Sequence, residues 1–384
     1  MSKIDLPLEE VMKKPNRLFV VVLLGLYLTL CGCPASTPGG GAGTTQYFVY
    51  ISNANSNNIS AYAINSSTGA LTTVSGSPFA AGADPDGIVV DPKGKFVYVT
   101  NYSSDTVSAY TIDSTTGTLS AVSGAPFGAG TAPQGIAVDP KDRFLFTGIY
   151  GSAGVYTINS STGALSNMQS LFTGVYSTGD YVAVDMTGQF VYLSVGSYSL
   201  YGFTFNSSTG ALSLINGGYP FGALPNVTGI AVDPMGTFLY TTSWNTGSNP
   251  GFVTNFTINS FTGALVNGSG GGAGVNPSGV AVTPNGSFLY VANNGDNTVS
   301  ALSINSGTGA LTKVAGSPFA AGKNPSGVVV DPTGKFVYVT NYGDNTVSAY
   351  TINSSSGALT ALSGSPFATG TAPNAIAVAT ATTQ

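Results

Sequence analysis

Phe336-Val-Tyr-Val-Thr-Asn-Tyr-Gly-Asp-Asn-Thr-Val-Ser-Ala-Tyr-Thr-Ile352 contains two runs, 336–340 and 346–352, rich in the Val, Tyr, Thr and Ile that suit a pleated surface. Between them, Asn341-Tyr-Gly-Asp-Asn345 has the composition of a hairpin turn. The same words recur at 96–112, where 14 of 17 positions are identical and only Ser103-Ser104-Asp105 differ. Self-similarity at a fixed spacing decides the architecture before any local reading does.

The Phe that opens this stretch recurs at 48, 96, 144, 190, 238, 288 and 336, so the chain carries seven units of 46–50 residues. Each reads as a strand (96–100), a hairpin turn, a second strand (106–112) and the tight turn Asp113-Ser-Thr-Thr-Gly117. A third strand (118–123), a loop holding Ala125-Pro-Phe-Gly128 and a fourth strand, Gly135-Ile-Ala-Val-Asp139, complete it. Four short strands per unit of this length predict an all-β, seven-bladed β-propeller with four antiparallel strands per blade. The Gly-Ile-Ala-Val strand is expected to line the axis. No such strand precedes Phe48, and no outer strands follow Ala375-Ile-Ala-Val378. The C-terminal strand is therefore predicted to complete the N-terminal blade and remove two exposed sheet edges. The unit 238–287 departs from the template. Its first hairpin is four residues longer and holds Trp244, the one Trp of the chain. It also has Gly270-Gly-Gly272 where most other units have Pro-Phe, which suggests a looser outer edge.

Charged residues are only 7% of the chain while 42% of residues are apolar, a composition that suits sheets buried on both faces. After Cys33 there are seven basic residues, thirteen Asp and no Glu, and the whole chain lacks His. No basic patch exists, so nucleic acid is not an expected partner. Without His, histidine-ligated haem and copper sites are excluded, and no cofactor is expected. Asn294-Gly-Asp-Asn297 and Tyr342-Gly-Asp-Asn345 are oxygen-rich but lack the carboxylates of a dedicated calcium loop; turn chemistry explains them and no metal is expected. Lys13, Lys14 and Arg17 precede the apolar run 18–30, which at helical rise spans about 20 Å, short for a membrane crossing and right for a signal segment. Leu30-Cys31-Gly32-Cys33 resembles a bacterial lipobox, which implies a signal peptide over 1–32 and a lipid on Cys33. Pro34, not Asp, follows, so by analogy with bacterial sorting the outer membrane is the expected address; Met12 offers an alternative start. Residues 33–46 read as a flexible tether and 47–380 as the propeller. The body of the protein then has neither thiol nor disulfide, and a monomer held to the membrane by its lipid alone is expected.

At Tyr98-Val-Thr-Asn101 and Tyr338-Val-Thr-Asn341 the chain resembles the YVTN-type propeller repeat, and more broadly the seven-bladed lactonase-like family, which includes proteins named as 6-phosphogluconolactonases and muconate-lactonising enzymes. The resemblance covers about residues 47–380 and implies the propeller fold and lactone hydrolysis. The lactonase branch typically carries His, and often Arg, where each inner strand begins. The matching positions here are Asp86, Gln134, Asp180, Thr228, Ser278, Ser326 and Asn374, so that catalytic set does not carry over.

Lactone hydrolysis needs an activated water and a group that steadies an oxyanion. The binding face is expected to be built by the loops entering each inner strand and the loops between second and third strands. On the inner-strand loops the ionisable candidates are Asp84, Asp86, Asp180 and Lys323, and Asp86 and Asp180 are the candidate bases. One cation, Lys323, is meagre provision for a phosphate dianion. Trp244 on the rim would suit a carbohydrate or protein ligand, or would pack under its own loop. So few ionisable groups favour a non-catalytic interaction scaffold, with a lactonase-like hydrolase acting through Asp as the alternative.

Overall fold

The computed structural model describes residues 45–173, 181–195, 199–221, 224, 226–245 and 249–382. They form seven antiparallel sheets arranged as blades around an axis. The second blade shows the plan: inner strand Pro85–Val90, second strand Phe96–Asn101, third strand Thr106–Ile112, and an outer strand in two pieces, Leu119–Ala121 and Phe127–Gly128, both paired with the third. The second strand is buried along its whole length because neighbouring blades cover both of its faces. Val97 and Val99 pack with Phe48 and Tyr50 of the first blade, while Phe96 and Tyr98 pack with Leu145 and Tyr156 of the third. Period-two alternation thus sends successive side chains into two different cores, and both must be apolar.

Each letter of Tyr-Val-Thr-Asn has a physical task. The Tyr98 hydroxyl donates to Gly163 O in the next blade at 3.0 Å, and Val99 fills the interface with the previous blade. The Thr100 hydroxyl donates to Gln134 O of the next inner strand at 2.6 Å. The Asn101 amide donates to Ser108 Oγ across its own hairpin at 2.9 Å and accepts from Gly82 N at 3.1 Å. The tyrosine bond is repeated from Tyr50, Tyr192, Tyr240, Tyr290 and Tyr338, the last donating to Gly69 O of the first blade at 2.8 Å and so closing the circuit. Phe146 occupies this position in the third blade and has no hydroxyl to give.

The Gly that accepts each tyrosine is required on two counts. Gly117 has φ +75°, and a Cβ there would stand 2.3 Å from Cδ1 of Phe48. Gly117→Ala should therefore cost about 2–4 kcal/mol through left-handed backbone strain plus overpacking, read as a lower denaturation midpoint; a loss under about 0.5 kcal/mol would contradict this account of the blade interface. The Asp that ends five of the inner strands is also structural. Asp91 Oδ1 accepts the backbone N–H of Lys95 and Phe96, both at 2.6 Å, and Asp139, Asp185, Asp233 and Asp331 brace their turns in the same way.

Ring closure is as the sequence predicts. The strand Pro373–Thr382 pairs with Thr45–Asn53 and becomes the inner strand of the first blade. Two expectations are corrected. Pairing places Pro85, Asn101 and Thr106 at one end of the blade, and Val90, Phe96 and Ile112 at the other. The hairpin turns between second and third strands, such as 102–105, therefore share a face with the loops entering the inner strands, and the tight turns such as 113–117 lie on the opposite face. The outer edge of the fifth blade is not loose either. Its glycine run forms the strand Gly271–Val275, paired with Pro250–Ile258, because Gly lets an extended backbone lie flush against that strand where four other blades place only a two-residue piece.

Candidate functional site

The inner strands start at a common level around the axis, and there they line a cavity of about 220 Å³. In five of the blades the lining sequence is a polar residue followed by Gly: Asp86-Gly87, Gln134-Gly135, Thr228-Gly229, Ser278-Gly279 and Ser326-Gly327. The Gly is imposed by crowding. A Cβ on Gly87 would lie 2.3 Å from Gln134 O, and one on Gly229 would lie 2.5 Å from Ser278 O. Ala375 and Tyr181 take this position in the first and fourth blades.

Most of the polar residues facing the axis are committed to holding the ring. Thr228 Oγ1 donates to Pro277 O at 2.5 Å, Ser278 Oγ to Ser326 O at 2.9 Å, and Ser326 Oγ to Asn374 O at 2.9 Å. Each hydroxyl joins its blade to the next, so none is a free nucleophile with a base beside it. Among the described residues the one carboxylate lining the cavity is Asp86. Asn374 Nδ2 donates to its Oδ1 at 2.5 Å, and Ser52 Oγ donates to its backbone carbonyl at 2.6 Å. Asn374 belongs to the C-terminal strand, so closing the ring also brings this partner to Asp86.

The surroundings set the chemistry of Asp86. The side chain is half-buried, with its open side on the cavity and protein around the rest. Desolvation pushes its carboxyl up to about 6, the negative charge of Asp84 adds to the rise, and a hydrogen bond from Gln134 opposes it. Across the cavity, the Tyr181 phenol is raised above its ordinary value, first by burial and then by the charge of Asp86. It therefore keeps its proton at neutral pH and remains a donor. The cavity thus pairs a carboxylate that is basic near neutrality with a neutral O–H donor.

The other expected residues are placed as follows. Asp84, two residues before Asp86, has φ +55°; its backbone N–H is held by Asn57 Oδ1 at 2.9 Å and its carboxylate accepts from Ser103 Oγ at 3.1 Å. It braces the loop and acts on the cavity only through its charge. Lys323 is exposed, its backbone N–H donates to Asp344 Oδ2 at 2.7 Å, and it does not line the cavity. No Lys or Arg does so among the described residues. Arg143 is paired with Asp139 at 2.8 Å and Lys93 with Asp142 at 2.9 Å, both on the opposite face. Trp244 is half-buried and lines a neighbouring hollow. Asp180 and Cys33 lie outside the described residues. In the two oxygen-rich turns, Asp296 and Asp344 accept the backbone N–H of Val275 and Lys323 from the adjacent loop. Sequence reasoning passed over Tyr181 and the pairing of Asn374 with Asp86. The signal for Tyr181 was there: a bulky aromatic stands where the repeat asks for Gly.

A family model described as lactonase, 7-bladed beta-propeller, matches residues 43–132 and 260–377. Among solved structures, a candidate 6-phosphogluconolactonase from Bacteroides uniformis superposes with TM-score 0.74 at 19% identity, covering 87% of this chain and 99% of that one. Another from Bacteroides fragilis gives 0.73 at 21% identity, covering 90% and 99%. The periplasmic gluconolactonase of Pseudomonas aeruginosa gives 0.72 at 17% identity, covering 88% and 100%. At such identities the likeness is one of fold. A sequence search of curated proteins returns no match.

Proposed function

The chain belongs to the family of seven-bladed lactonase propellers, and from that premise we propose that it hydrolyses a neutral sugar lactone in the axial cavity, with Asp86 as general base. The observation that carries this reading is the one carboxylate that lines the axial cavity among the described residues, desolvated and oriented by Asn374. Asp86 takes a proton from water as the water oxygen attacks the lactone carbonyl. The neutral Tyr181 hydroxyl donates to the developing oxyanion. Collapse of the tetrahedral intermediate breaks the ring C–O bond, and the proton held by Asp86 passes to the leaving alkoxide. The product is the open hydroxy acid, and Asp86 is again ionised. A phosphorylated substrate is disfavoured because a dianion would meet Asp86 with no cation lining the cavity among the described residues. This reading displaces the interaction scaffold that the scarcity of ionisable residues favoured: one base at the axis is enough for the chemistry, and family membership points the same way. Purified protein assayed on a panel of neutral and phosphorylated aldonolactones tests it; turnover of none, or of the phosphorylated ones alone, would refute it.

We also propose that Cys33 carries a lipid that holds the protein at the outer membrane. Two features of the described residues support this. The first strand, Thr45–Asn53, begins on the face opposite the cavity, so a tether attached there leaves the cavity open. That face also exposes Met235 and Phe261, whose apolar side chains suit a lipid surface. Cys33→Ala is expected to move the protein from the membrane to the soluble fraction, and unchanged fractionation would refute lipidation.

A further inference from the structure

A second hollow, of about 240 Å³, lies beside the axial cavity, lined by Thr228, Trp244, Asn276, Pro277, Ser278 and Asn294. Thr228 and Ser278 border both spaces, so the two share a wall. The lengthened hairpin of the fifth blade contributes Trp244 to the second space, and the sixth blade contributes Asn276, Pro277, Ser278 and Asn294. Trp244 follows directly on the strand Phe238–Ser243, and both of its backbone polar groups are held by Asn226: Trp244 N–H donates to Asn226 O at 3.3 Å, and Asn226 Nδ2 donates to Trp244 O at 3.3 Å. Asn245 Nδ2 closes the hairpin onto Pro250 O at 2.7 Å. The backbone that carries the indole is thus fixed beside the hollow.

Asn276 supplies the second observation. It stands at φ +49°, and its Oδ1 is buried without a hydrogen-bond donor among the described residues. An unmet acceptor of this kind is costly unless something in the hollow satisfies it. The lining therefore offers an aromatic surface, an acceptor awaiting a donor and the amide of Asn294, beside Thr228 and Ser278 whose hydroxyls hold the ring, and it carries no ionisable group. A neutral pyranose matches this set: its C–H face packs on an indole and its hydroxyls donate to amide oxygens.

We propose that the Trp244 hollow is a subsite for a neutral pyranose ring linked to the lactone ring held in the axial cavity, so that the substrate class is a glycosylated aldonolactone. The proposal rests on the hydrolase reading for the second ring alone. Recognition of the pyranose depends on Trp244 and Asn276, and the shared wall of Thr228 and Ser278 is where the glycosidic link would pass.

The chain has a single Trp, so its indole emission reports on this hollow alone. Cellobiose, which has no lactone to hydrolyse, should shift that emission saturably, and Asn276→Gly, which keeps the positive φ, should weaken the response about tenfold. In parallel, kcat/KM for cellobionolactone should exceed that for gluconolactone about tenfold, and Trp244→Ala should bring the ratio to about one. Turnover of both lactones at equal rates with no emission response overturns the subsite and leaves the hydrolase reading standing. Turnover of neither lactone with a saturable response to cellobiose overturns the hydrolase reading and keeps the pyranose subsite.

Discussion

A chain ending at Ala372 is expected to lose its cooperative melt and to collect in the insoluble fraction. The deleted strand, Pro373–Thr382, pairs with Thr45–Asn53 from Thr45↔Thr382 to Asn53↔Pro373. Its side chains also serve two cores. Ala377, Ala379 and Ala381 pack with Phe48, Tyr50 and Ile88, and Ile376 packs with Val49, Phe336 and Tyr338. Deletion would open both interfaces of the first blade and leave a long, flat strand edge free to pair with other chains. Losing several backbone hydrogen bonds at about 1 kcal/mol each, together with the seal on two cores, is comparable with the 5–15 kcal/mol that is roughly the whole stability of a typical domain. Thermal melts and solubility of the two proteins decide the matter. A truncated protein that stays soluble and melts with the full-length chain would show that the ring does not depend on this closure.

Asp86→Asn is expected to lower kcat/KM on a neutral lactone by about 10²–10⁴-fold, the usual contribution of a positioned base. The substitution keeps shape and the acceptor that Asn374 binds, so the loss would belong to proton transfer. The wild-type rate should rise with pH through an inflection near the carboxyl's value of about 6 and stay level above it, because only the ionised form accepts a proton. Stability should move in the opposite sense. The folded state holds this proton more tightly than the unfolded chain, whose carboxyl has the ordinary value of 3.8. The favourable contribution of Asp86 is complete below that ordinary value and is lost as pH rises through about 6. Above it, the buried charge costs on the order of 2 kcal/mol, which the Asn variant avoids. At pH 8 the variant should therefore show that loss of turnover yet be at least as stable as wild type. Retained turnover, or a wild-type profile with no inflection near neutrality, would remove Asp86 from the reaction.

The repeat made the fold readable because every blade solves the same problem. Phe48 covers Gly117 and Phe96 covers Gly163; Tyr50 and Tyr98 donate to those same glycines. A contact needed at each interface leaves a word in each unit, and the period of those words is the period of the blades. The site has no such redundancy. Asp84 and Asp86 stand on one loop two residues apart, yet one is turned toward Ser103 and the other toward the axis by backbone angles that composition does not reveal. Lys323 enters the same kind of loop and points to solvent. Composition alone puts the tight turns on the binding face, whereas antiparallel pairing carries them to the other side, a matter of strand direction that only the register exposes.

By itself, then, the sequence determined seven blades, a ring closed by its own C-terminus, and a chain with almost no ionisable chemistry to offer. Those are properties of local pattern and inventory, and each is written many times over. Tertiary structure alone decided that Asp86 meets Asn374 across 288 positions of the chain, that Tyr181 reaches the same cavity, and that Thr228 and Ser278 divide that cavity from the hollow of Trp244. The physical reason is that a ring brings the starts of seven distant strands to one axis, and the burial that chiefly raises the pKa of Asp86 is made by neighbours remote in sequence.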